Sequence, residues 1–182
     1  MADHDYEFTT HWRFDASPEE VWEILADAEE LPRWWPSVYL EAKRLEAGDA
    51  NGIGVVTALW TKGFLPYTLR WRFRVTEVRP PHRLAIDAVG DFVGRGVWTL
   101  TGTSAETHVT FDWRIRAEKP VLRSLSFLFK PVFSANHAWA MARGQESLRL
   151  ELARRRAPTN EERSRVPAPP GPMFPHNLRR RS

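Results

Sequence analysis

The chain has 182 residues, 42% hydrophobic and 27% charged, with nine tryptophans, no cysteine and a formal net charge of +3. That length supports one domain of ordinary size, burying roughly 70% of its unfolded surface, and the missing cysteine excludes disulfides and thiolate chemistry. The charge is unevenly spread: residues 154–182 hold eight arginines against two glutamates, leaving 18 basic and 21 acidic side chains in 1–153. A mildly acidic body argues against a nucleic-acid partner, which requires positive charge on the folded face. No signal-peptide-like apolar run follows Met1, and no stretch nears the ~18 apolar residues of a membrane span. A cytoplasmic protein with no integral membrane segment is expected.

Residues 6–14 alternate Tyr6, Phe8, Thr10, Trp12, Phe14 against Glu7, Thr9, His11, Arg13, a strand with one buried face. Ser17-Pro18-Glu19-Glu20 supplies an N-cap serine, a proline at the first helical position and a capping-box glutamate. The helix it opens turns Val21, Trp22, Ile24 and Leu25 inward and stops near Asp27. A second short helix, 29–34, ends in Trp34-Trp35-Pro36, where one indole should plug the core and the other lie exposed.

Strands follow at 38–45 and 53–61, joined by the turn Gly48–Gly52, and Gly63 then opens a loop carrying Phe64 and Leu65. Residues 67–78 give the cleanest alternation, with Tyr67, Leu69, Trp71, Phe73 and Val75 opposite Arg70, Arg72 and Arg74. After Pro80-Pro81, strands are predicted at 83–88, 92–101 and 107–116. Short connections favour antiparallel neighbours. Pro131 predicts a break, with a separate turn at 120–130 whose Phe127 and Phe129 join Phe133 in an apolar lip.

Beyond it, Phe133, His137, Met141, Gly144, Leu148 and Leu152 recur at steps of three and four, the stripe of a buried helical face. One long helix and seven one-faced strands are most simply buried together as an α+β fold. A curved antiparallel sheet then wraps the C-terminal helix, with two short helices after the first strand. The domain is expected to span 1–156, followed by a Pro/Arg-rich tail, 157–182, of disordered composition.

SPEEVW at the first helix, LPRWWPSV at the second, GRGVWTL in a late strand and NHAWAMARGQESL in the final helix carry a resemblance. Over residues 5–153 the chain resembles the START/Bet v 1-like (SRPBCC) superfamily, in particular its polyketide cyclase/dehydrase and lipid-transport members. The resemblance implies a helix-grip fold with a deep apolar cavity between sheet and C-terminal helix. Its members bind lipids, polyketides, quinones or steroids, and a minority catalyse cyclisation or dehydration. The family has no common catalytic motif.

One helix cannot cover a seven-stranded sheet without leaving volume, and rigid aromatics suit a pocket lining. Trp12, Trp60, Tyr67, Trp71, Phe73, Trp98, Phe111, Trp113 and Met141 are therefore candidate ligand contacts, with Phe64, Phe129 and Phe133 at the entrance. Asp91 and Arg95, beside Gly94 and Gly96, are candidates for the cavity mouth. The two glycines themselves should admit a bulge or a close approach by the helix.

His137, on the buried stripe, is the candidate acid–base group, with hydrogen-bonded structure as the plainer role. No second ligand stands at metal spacing with it, so neither metal nor cofactor is expected. Two functions follow: binding of an apolar small molecule such as a lipid, polyketide or other aromatic or isoprenoid-like compound, or a polyketide cyclase/dehydratase using His137.

Overall fold

The computed structural model describes residues 5–117 and 120–173, and side chains over 6–116 and 131–173. Strand β1 (Asp5–Phe14) leads into α1 (Pro18–Leu25), a 3-10 turn (Ala28–Glu30) and α2 (Leu31–Trp34). Six strands follow: β2 (Tyr39–Glu46), β3 (Val56–Lys62), β4 (Thr68–Arg79), β5 (Arg83–Gly90), β6 (Phe92–Gly102) and β7 (Thr107–Ala117). They precede α3 (Pro120–Arg156) and α4 (Asn160–Arg165).

The seven strands form one sheet ordered β1-β7-β6-β5-β4-β3-β2, every pair antiparallel. The first strand therefore pairs with the last, Tyr6 opposite Ile115 and Phe14 opposite Thr107. The sheet bends across α3, which runs alongside β1: the Phe133 ring meets Tyr6 edge-on at 5.8 Å, and farther along Arg149 donates to the Arg13 carbonyl. Local chemistry fixes the joints. Ser17 accepts from the Glu20 N–H while its own N–H donates to the Glu20 carboxylate, the reciprocal cap read in the sequence. Register shifts at Tyr39/Glu41, Arg44/Glu46 and Val75/Glu77 add the local bend that an edge curling over a helix needs.

Four expectations change. The final helix is not broken: it starts at Pro120 and passes through Pro131, although proline there removes one i→i−4 donor. Residues 53–55 belong to the β2–β3 loop, since Gly54 and Val55 exchange backbone bonds with Val75 instead of extending the strand. Both Trp34 (0% exposed) and Trp35 (2%) are buried, so neither indole is at the surface. The chain after 156 is not structureless throughout: Thr159 caps the Glu162 N–H and opens α4.

Candidate functional site

Between the concave sheet face and α3 lies a cavity of about 640 Å³, within the range of small-molecule sites. Strand alternation builds its aromatic wall. Trp98 stacks on Phe111 at 4.0 Å, Phe111 on Trp113 at 5.5 Å, and Trp113 meets Trp71 at 5.8 Å. The Trp71 indole N–H donates to Thr61 Oγ1 at 3.0 Å, which fixes the ring against β3. Gly96 makes room for this wall: a Cβ there would lie 2.8 Å from the Trp113 ring. The close approach thus comes from the neighbouring strand, not from the helix. Met141, Ala140 and His137 face the wall from α3.

The expected Tyr67, Trp71, Phe73, Trp98, Phe111, Trp113, Phe133, His137 and Met141 all line this space. Other candidates fall elsewhere. Trp60 points to the convex face, where Arg70 covers its ring at 4.7 Å, because Thr57, Leu59 and Thr61 take the inward positions of β3. Arg95 is exposed and pairs with Asp87, and Asp91 accepts from the Arg70 N–H at the β5–β6 turn. Both sit on or beside the outer face, so neither reaches the mouth. Trp12 packs between Phe14, Trp35 and Trp98 as core. Phe64 turns aside onto Trp139 at 6.2 Å, while the Phe129 side chain lies outside the described residues.

Sequence reasoning missed several lining groups. Trp35 and Tyr39, 5.1 Å apart between ring centres, come from the short-helix corner. Thr57, Thr61 and Lys62 come from β3, and Tyr6 and Phe8 from β1. The β1 alternation pointed to Tyr6 and Phe8, but nothing marked the β3 hydroxyls as cavity groups.

Burial governs the electrostatics. His137 stacks on Phe8 at 4.2 Å with Nε2 3.4 Å from Thr10 Oγ1, and burial lowers its pKa to about 4. It is therefore neutral at pH 7. Burial also lowers the Lys62 ammonium and raises the Tyr39 phenol; burial and then Tyr6 raise Tyr67 to about 12. Thr57 Oγ1 and Trp35 Nε1 are buried in the cavity wall and find no hydrogen-bond partner among the described residues. Among the described residues no cluster of three or more His, Cys, Asp or Glu side chains is placed to hold a metal, and no helix is long and apolar enough to cross a membrane.

Solved structures share this architecture. An aromatase/cyclase, Zhui from Streptomyces sp. R1128, is 17% identical with a TM-score of 0.67, covering 86% of this chain and 99% of its own. TTHA0849 from Thermus thermophilus is 17% identical with a TM-score of 0.66, over 84% of this chain and 100% of its own. Norcoclaurine synthase from Thalictrum flavum, in complex with dopamine and hydroxybenzaldehyde, is 14% identical with a TM-score of 0.55, over 85% and 90%. At these identities the likeness is one of fold. No curated protein is similar to the chain in sequence. Residues 6–153 match a family model spanning the whole sheet and most of α3, and the chain belongs to the family described as polyketide cyclase/dehydrase and lipid transport.

Proposed function

We propose that the chain binds a hydrophobic small molecule, an aromatic or polyketide-like compound, between the sheet and α3. The observation that carries this reading is the 640 Å³ cavity walled by stacked indoles and phenyl rings. Burying about 300 Å² of apolar ligand surface contributes about 7 kcal/mol before association costs, enough for micromolar binding.

The test is native mass spectrometry of the purified protein, followed by titration with 2-naphthol while tryptophan emission is monitored. A retained mass of a few hundred daltons, or saturable micromolar quenching that weakens at least tenfold in Trp113→Ala, is expected. A protein that carries nothing and shows only linear quenching ends the proposal.

A second reading, cyclisation or dehydration of a poly-β-ketone-like substrate, draws on the family description and on the cyclase among the structural neighbours. His137, with its pKa near 4, is a weak base for that chemistry at neutral pH. The neutral ring is better suited to donating or accepting one hydrogen bond. If turnover of such a substrate is found, His137→Phe should abolish it while retaining naphthol binding; unchanged turnover removes the histidine from the mechanism.

A further inference from the structure

The cavity has two ends. At one, near the start of the described part of α3, its lining is Tyr6, Lys62, Gly63, Tyr67, Phe133 and Asn136, all buried or half-buried. At the other, α1 and the 3-10 turn face the β2–β3 loop and the β4–β5 turn, through Trp22, Leu25, Val78 and Leu84. Every fully exposed residue of the described lining belongs to this second end: Ala26, Arg44, Pro80 and four residues of the loop 47–51.

We infer that ligand enters and leaves through this second end, between the C-terminus of α1 and the β2–β3 loop. The inference rests on the cavity being the binding site. A greasy guest needs a continuous path from solvent to the aromatic wall, and the solvent-open lining supplies it only here among the described residues. The rim is of mixed chemistry, with Arg44, Asp49 and Asn51 beside Ala26, Ala47, Ala50 and Pro80. Ala26, Ala47 and Ala50 have side chains too small to close the opening, and Leu45 (51% exposed) and Ile53 (41%) stand in the chain on either side of the loop.

The opening is built in. Asp49 Oδ1 accepts from the N–H groups of Asn51 and Ile53 at 2.8 and 2.9 Å, and its own N–H donates to the Ile53 carbonyl. Gly54 N–H then ties the loop to Val75. Arg44, itself in the lining, bridges to Glu29 at 3.0 Å, a side-chain pair that joins β2 to the 3-10 turn across the opening. The loop lip is held by its own hydrogen bonds and the Arg44–Glu29 pair is a side-chain contact, so passage requires side-chain motion and not refolding of the loop.

The absence of native cysteine allows a reversible plug. Ala50→Cys, Ala26→Cys and, at the other end, Pro66→Cys are each prepared as the free thiol and as the mixed disulfide with glutathione. Binding of 1-anilinonaphthalene-8-sulfonate is then followed by stopped flow. Capping at 50 or 26 should slow association and dissociation together by at least tenfold, with both rates restored by reductant, whereas capping at 66 changes either rate by less than about twofold. Unchanged rates on capping at 50 and 26, or an equal slowing on capping at 66, overturn the port. If the uncapped proteins and wild type show no saturable signal, the binding reading itself has failed, which is a different result from a misplaced port.

Discussion

Two polar side chains in the cavity wall illustrate opposite ways of burying polarity. His137 is half-buried as the neutral ring, and desolvation lowers its pKa from 6.5 to about 4. An unfolded chain binds a proton at this position between those values and the folded chain does not. The histidine's contribution is therefore fully present above pH 6.5 and is lost as pH falls toward 4. In His137→Phe, which keeps the stack on Phe8, denaturation midpoints should lose that part of their pH dependence between 6.5 and 4. Parallel curves for variant and wild type would show the ring to be solvated. Thr57 is the other case: it is 1% exposed and its hydroxyl lacks a partner among the described residues. Thr57→Val should raise the stability of the protein by about 1 kcal/mol. A destabilised variant would mean that the hydroxyl is already satisfied.

The long helix is held by one tight seat. Gly144 lies on the buried stripe, and a Cβ added there would press into the Trp35 indole, 2.6 Å from Cε2. Helix propensity alone makes Gly→Ala favourable by about 1 kcal/mol. The clash is with a ring buried to 2% and wedged between Trp12, Trp34 and Tyr39, so it cannot swing away, and overpacking of this kind costs typically 1–3 kcal/mol. Gly144→Ala should therefore lower the melting temperature despite its better propensity; a rise would mean that helix and Trp35 separate easily. This stripe was legible because its period is local to the helix, as were the seven strands and the reciprocal cap at Ser17. Continuity through Pro131 was not legible. Proline's local cost favours a break, and nothing in the local pattern announces that the helix runs on through it.

At the scale of the molecule, the aromatic wall could be anticipated because inward positions of β4, β6 and β7 follow from alternation. Its partners on β2 and β3 could not: Tyr39, Thr57 and Thr61 reach the cavity through the curl of the sheet edge, which bulges set and no spacing reveals. Trp60 and Arg95 went wrong for the related reason that residue type was read ahead of strand parity. The base of the fold was equally invisible in sequence. Glu151, 2% exposed, accepts from Arg33 of α2 at 2.7 and 3.0 Å, from Arg154 at 3.0 Å and from Arg155 at 2.9 Å. Burial pushes its carboxyl up, but the hydrogen bonds from Arg33, Arg155 and Arg154 outweigh it and bring the pKa down to about 2. A carboxylate held below its unfolded value of 4.5 contributes stability that is full above pH 4.5 and is lost as pH falls toward 2. The arginines are partly exposed, so that contribution is discounted to about 2 kcal/mol. Glu151→Gln leaves three guanidinium groups facing one another and should cost about 3 kcal/mol at pH 7. Denaturant titrations of variant and wild type should converge as pH falls from 4.5 to 2.5, a window below that of His137. Curves that stay separated by the same amount throughout would assign the stabilisation to packing around Glu151 instead of to its charge.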